Sequence, residues 1–235
     1  MVACPERARL TRGQTREPVQ RGVPKPRVNV VFGQADEMIV VVEGPSAAGK
    51  STCAVHLAPA ASLVPEAVGL EPPTGSSSVI AEFWTDANAK RWGAALRVEA
   101  ETGVAVCDTD PLKLHYDFCL MRIGVLGLGQ MRADVRAARE AMSKQRLGIA
   151  DVVLCEIAEP DVLEQRKRSD PARSRRRFEL HQRLAEPLHE WYAALAELDP
   201  DRVQWRFPSV LPAVGLRNRY DIRLLDAWMA KLGLV

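Results

Sequence analysis

Hydrophobic and polar positions along this chain alternate between short continuous apolar runs and longer stretches with helical spacing. Met38–Val42 (MIVVV) is unbroken and bounded by Gly44 and Pro45, the pattern of a strand buried on both faces of a parallel sheet. Four further runs predict strands: Ala61–Pro65, Gly103–Cys107, Ala150–Ile157 and Val203–Phe207. Helical spacing predicts helices over Gly49–Leu57, Ser78–Glu101, Leu112–Ile123, Met131–Gln145, Pro160–Arg168 and Glu179–Leu198, with an amphipathic helix over Tyr220–Leu232 to close the chain. Pro72, Pro73 and the run from Gly75 to Ser78 predict a loop, and Gly124–Gly129 (GVLGLG), which follows no predicted strand, reads as an interhelical turn. Five strands separated by helices imply an α/β fold of three layers, with a five-stranded parallel sheet and right-handed crossovers. Such sheets bind ligands beyond the carboxyl ends of their strands, so candidate chemistry is sought there.

Composition narrows the class. A chain of 235 residues, 47% hydrophobic, is long enough for one sizeable domain. No apolar run reaches the ~20 residues that span a bilayer, and the N-terminus lacks a secretory apolar core, so a cytoplasmic protein without membrane contact is expected. Five cysteines with no CxxC pair read as reduced thiols, Cys107 and Cys155 in core strands. Net charge is only +2, but residues 1–37 hold Arg7, Arg9, Arg12, Arg16, Arg21, Lys25 and Arg27 against Glu6, Glu17, Asp36 and Glu37, with four prolines. This segment is expected to be a disordered leader, and Met38 is an alternative start. Without aromatics among its basic residues, no nucleic-acid partner is expected. The functional domain is placed at 38–235.

Gly44-Pro45-Ser46-Ala47-Ala48-Gly49-Lys50-Ser51 fits G-x-x-x-x-G-K-[ST], the phosphate-binding P-loop. The glycines reach backbone conformations closed to other residues. The small residues between them let consecutive amides converge on phosphate oxygens, at the positive end of the helix that follows. Lys50 is expected to neutralise β- and γ-phosphate charge, Ser51 to ligate Mg²⁺, and Thr52 to complete the nucleotide site. The plainer alternative is a strand–turn–helix junction that happens to contain Gly-Lys.

Carboxylates end the predicted strands: Glu43 after the first, Glu66 after the second, Asp108 and Asp110 after the third. Phosphoryl transfer uses one carboxylate to orient and deprotonate the attacking hydroxyl and another to organise the metal. Glu66 is the expected base and Asp108 the expected Mg²⁺-side group. The alternatives are an exposed loop acid and a turn-forming cap. Asp110 divides between substrate contact and turn chemistry, and Glu43 is read as bonding the loop's backbone. Arg166, Arg168, Arg173, Arg175, Arg176 and Arg177 lie within twelve residues around Pro171. They suit a lid over about 166–178, with Arg173 and Arg175 on the transferring group and Arg168 on the nucleotide. A solvated basic helix face is the alternative. Glu82-Phe83-Trp84-Thr85-Asp86 and Lys90-Arg91-Trp92 could sandwich a planar ring, with Asp86 or Arg91 reading its edge, or could face the core. His115-Tyr116 is a further candidate for facing the acceptor, and His181 and His189 read as surface residues.

EGPSAAGKST, the strand-end Glu66, the VAVCDTD turn and the arginine-rich stretch before a helix ending in LHEWY resemble the P-loop nucleoside and nucleotide kinases. The deoxynucleoside and thymidylate kinases and the ribosylnicotinamide kinases are the nearest groups, over about residues 38–210. The resemblance implies a P-loop NTPase fold, ATP and Mg²⁺, a closing lid, and Glu66 as the carboxylate that activates the acceptor hydroxyl. That group usually follows its third strand with an acid–arginine pair, whereas this chain has Asp108-Thr109; either Arg122 or a lid arginine substitutes, or the acceptor is something other than a nucleoside. The expected activity is transfer of the γ-phosphoryl group to a nucleoside, nucleotide or other sugar-bearing small molecule. Phosphorylation of an antibiotic or specialised metabolite and a regulatory P-loop ATPase are the rivals. A homodimer is left open.

Overall fold

The computed structural model describes residues 37–169, 178–213, 215 and 217–235. Its centre is β1 (Met38–Glu43), with all six residues buried. Beside it run β3 (Val104–Asp108) and β4 (Val152–Cys155), flanked by β2 (Leu63–Val64) and β5 (Val203–Gln204). The strand order is β2-β3-β1-β4-β5 and every pairing is parallel. Valine and isoleucine fill the central strand because both of its faces are covered. The helices are α1 (Lys50–Leu57), α2 (Ser77–Thr102), α3 (Leu114–Arg122), α4 (Leu128–Ser143), α5 (Pro160–Arg168), α6 (Phe178–Arg183), α7 (Ala185–Leu198) and α8 (Ile222–Lys231). This is a three-layer α/β architecture with a five-stranded, all-parallel sheet.

The two faces of the sheet are unequal. Ile39, Val41, Cys107 and Val153 point into a large core shared with Trp92 of α2, Phe118 of α3, Met131 of α4, Trp191 of α7 and Trp228 of α8. Val40, Val42, Val106 and Leu154 point the other way, onto Cys53, Ala54 and Leu57 of α1 and onto Phe207 and Leu211. Burial pushes the Cys53 thiol up to about 11 and Cys107 to about 12, in line with reduced core cysteines.

Several expected elements differ in extent. The second strand pairs over two residues, because a 3₁₀ turn at Ala60–Ser62 precedes it and Pro65 has no N–H to donate. The fifth strand pairs over Val203–Gln204 alone. The helix expected over Glu179–Leu198 breaks at Leu184, where Pro187 cannot donate to the Arg183 carbonyl one turn back. The closing helix begins at Ile222, because the Asp221 side chain accepts from the Arg223 and Leu224 amides at 2.9 and 3.1 Å. The leader expected at 1–37 lies outside the described residues except for residue 37. Among the described residues, no helix is long and apolar enough to cross a membrane.

The amino end of the sheet is tied by charge. Asp151, buried just before β4, accepts the Ile39 amide at 2.7 Å and faces the Arg219 guanidinium, which also forks onto Glu99 of α2. Removing one member leaves buried charge uncompensated. Asp151→Ala is therefore expected to lower unfolding free energy by on the order of 3–5 kcal/mol in urea titrations. A loss below ~1 kcal/mol would show that this tie is dispensable.

Candidate active site

The loop joining β1 to α1 occupies the carboxyl edge of the central strand. A Cβ on Gly44 would lie 2.6 Å from the Glu156 carbonyl oxygen and 2.9 Å from Ala48 Cβ, so the first position has room only for glycine. Gly49 has φ +101° and caps α1 from the left-handed region. Ala47 also has positive φ, 72°. The Gly44 amide donates to Glu43 Oε1 at 3.0 Å and the Ala48 amide to the Pro45 carbonyl at 3.1 Å. No side chain caps α1, and the amides of Gly49, Lys50 and Ser51 donate to no carbonyl among the described residues. Uncapped helix amides behind a glycine turn form an anion seat. Lys50 Nζ curls back onto the Gly44 and Pro45 carbonyls, at 2.7 and 3.3 Å, along the rim of that seat.

Asp108 reaches the same place because β3 pairs in register with β1, Val42 opposite Asp108. The Ser51 hydroxyl donates to Asp108 Oδ2 at 2.7 Å. A hydroxyl and a carboxylate side by side at the anion seat are the hard oxygen donors that Mg²⁺ prefers, so these residues fit the ion.

Glu43 is almost fully buried. Besides the Gly44 amide it accepts the Asp110 amide at 3.1 Å and stands 3.1 Å from His115 Nε2. Burial pushes its carboxyl up, but His115 together with Lys50 and Lys113 holds it well below the usual carboxylate range. The sequence expectation of a bond to the loop's backbone is met, with two partners added. Asp110 is buried too, accepting the Leu112 amide at 2.9 Å and the Tyr192 hydroxyl at 3.2 Å. Its place is turn chemistry, and burial pushes its carboxyl up.

Two cavities meet at this edge. The larger, about 740 Å³, is lined by the loop from Ser46 to Thr52, by Asp108, and by Arg166, Phe207 and Pro208. The smaller, about 110 Å³, lies between the loop and the helices, with Lys113, His115, Tyr116, His181 and Leu188 on its walls. Ser46, Lys50 and Glu66 line both. Glu66 is partly exposed and ion-paired with Lys113. His181, expected on the surface, is half-buried here because α6 ends against the cavity.

Of the arginines in this stretch that fall among the described residues, Arg166 reaches the loop. Its Nη1 donates to the Ala48 carbonyl at 2.6 Å, and it stands 3.4 Å from Glu156. Arg168 turns instead to Glu164, one helical turn back at 3.1 Å, and lines neither cavity. Arg173 and Arg175 lie outside the described residues. Leu163 and Phe178, from either side of that stretch, pack on Ala48.

Other candidates are redistributed. Phe83 and Trp84 meet edge to face with centroids 5.1 Å apart, Phe83 lining a separate hollow with Ala67, Leu70 and Lys90. Asp86 pairs with Arg146 at 2.6 Å. Arg122, the proposed substitute after the third strand, pairs with Glu190 and covers Phe118. Arg91 is buried, its guanidinium spent on the Pro65, Asp108 and Thr109 backbone. Sequence reasoning missed Lys113 altogether. The only local signal is its spacing, one turn past the Asp-Thr-Asp stretch.

Because its carboxyl is held below the ordinary value of 4.5, Glu43 contributes stability that is complete above about pH 4.5 and drains away as pH falls below it. Glu43→Gln is expected to be less stable than the parent by about 3 kcal/mol near neutrality, with the gap closing in acid. Urea titrations of both proteins between pH 7 and pH 3 check this. A gap that stays constant with pH would refute the charged role.

No family model matches the chain, and no curated protein matches it. Among solved structures it is similar to the deoxyadenosine kinase from M. mycoides with bound dATP. That likeness has 14% identity and a TM-score of 0.43, over 83% of this chain and 99% of that one.

Proposed function

We propose that the protein is a P-loop phosphotransferase that moves the γ-phosphoryl group of ATP to a hydroxyl of a small acceptor. A nucleoside, nucleotide or related sugar-bearing metabolite is the preferred class. One observation carries this reading. Lys50 and Glu66 border both the larger cavity, at the anion seat, and the smaller one beside it. A triphosphate in the first and an acceptor in the second would meet between a lysine and a carboxylate.

In this reading the amides of Gly49–Ser51 and the Lys50 ammonium bind the terminal phosphates. Phe207 and Pro208 supply an apolar wall for the rest of the nucleotide. Ser51 and Asp108 would hold Mg²⁺, which supplies charge neutralisation on the phosphate oxygens. Glu66 orients the acceptor hydroxyl and takes its proton as the oxygen bonds to the γ-phosphorus. The bridging bond to the β-phosphate breaks, and ADP leaves with the electron pair. Lys113 holds the Glu66 carboxylate toward the smaller cavity. Arg166 steadies the loop, and Arg173 and Arg175 are assigned to the transferring group. Arginines on a closing lid would also exclude water that competes with the acceptor.

The test is transfer of ³²P from γ-labelled ATP to a panel of nucleosides, nucleotides and sugar-containing antibiotics. A labelled product is expected for at least one class. Glu66→Gln is expected to lower kcat by ~10²–10⁴ with little change in KM for ATP. Rapid release of free phosphate with no dependence on any acceptor would favour the regulatory ATPase and overturn the transferase.

A further inference from the structure

α2 runs behind the carboxyl ends of β2 and β3, and Arg91 projects from it into their junction with 7% of its surface exposed. Its Nε donates to the Pro65 carbonyl at 2.9 Å. Nη1 donates to Thr109 Oγ1 at 3.2 Å, and Nη2 donates to the carbonyls of Thr109, at 2.6 Å, and Asp108. Every acceptor is neutral. Among the described residues Arg91 has no ion-pair partner, an expensive arrangement for a buried cation if its task were only to fill space.

On the β2 side the backbone it grips has little else to fix it. β2 pairs with β3 only at Leu63 and Val64, so the ladder ends before Pro65 and leaves Glu66 beyond it. Thr109 has φ 70°, a left-handed conformation that β-branched residues avoid. A planar fork of donors suits four oxygens converging from the ends of two strands, and a lysine could not reproduce it. The grip also extends sideways: Thr109 Oγ1 lies 3.5 Å from Lys113 Nζ, and Lys113 pairs with Glu66. Glu66 is therefore approached from both directions, through Pro65 and through Thr109 and Lys113.

We propose that Arg91 is a positioning residue that sets the placement of Glu66 relative to Asp108 and holds Thr109 in its strained conformation. Its consequence for turnover rests on the phosphotransferase reading. Its grip on the turn does not.

Two readouts separate these. In hydrogen exchange, the Thr109 amide is bonded to the Val42 carbonyl and the Asp110 amide to Glu43, so the peptide over 104–112 is protected in the parent protein. Arg91→Lys is expected to speed exchange there by ~10-fold or more while peptides of α7 and α8 keep their protection. In the transfer assay Arg91→Lys is expected to lower kcat by ~10–100-fold with KM for ATP within ~3-fold, since misplacement of about an ångström costs that much in rate. Thr109→Val, which keeps the shape and removes the hydroxyl acceptor, is expected to lower kcat in the same way and serves if Arg91→Lys does not fold. Unchanged exchange in folded Arg91→Lys, or unchanged kcat in either variant, overturns the proposal. If the parent protein transfers phosphate to nothing, the functional reading fails by itself, and exchange over 104–112 still decides whether Arg91 holds the turn.

Discussion

A carboxylate with almost no access to water joins the parts of this edge. Glu43 takes the amide of the first loop glycine, the amide of Asp110 and the imidazole of His115, which ties the β1–α1 loop to the β3–α3 turn and to α3 itself. Its charge can persist in that setting because three donors reach it and Lys50 and Lys113 stand near. Displacing it would free three segments at once. The loop would lose its anchor at the glycine, and the turn that carries Asp108 would lose its support on the next strand.

The same logic recurs along the strand ends. Acids gather there, Glu43, Glu66, Asp108 and Asp110, because the parallel sheet delivers every strand to one rim. Each is compensated by a different means: His115 for Glu43, Lys113 for Glu66, the Ser51 hydroxyl for Asp108 and the Tyr192 hydroxyl for Asp110. Arg91 works below them through carbonyls, on the main chain rather than on the acids. The opposite rim follows the other strategy, with Asp151, Arg219 and Glu99 closed into a buried ionic cluster that offers nothing to a ligand.

Much of this was legible in the sequence. The unbroken Met38–Val42 run matches the doubly buried strand, and the loop with Gly44, Gly49, Lys50 and Ser51 joins strand to helix where their spacing put it. What escaped was of two kinds. Lengths of edge strands depend on which backbone groups find a partner, and the apolar runs at Ala61–Pro65 and Val203–Phe207 carry no sign of that. The break at Leu184 had a visible cause in Pro187, hidden by uninterrupted helical spacing. Side-chain reach was the second kind. Arg91, one of two candidates for reading a ring's edge, points inward; Arg166 rather than Arg168 touches the loop; and Lys113 is revealed only by its pairing with Glu66 across the fold. Such partnerships join residues 17, 47 and 118 positions apart, with no local signature.

The central claim is that the amides around Gly49–Ser51, with Lys50, seat the terminal phosphates of a nucleoside triphosphate. Isothermal titration calorimetry with a non-hydrolysable ATP analogue, in the presence of Mg²⁺, tests it most directly. One equivalent bound per chain, lost in a Lys50→Ala protein that keeps its circular dichroism spectrum, is the predicted result. Absence of binding to the folded parent protein, or equal affinity in both proteins, would contradict the account.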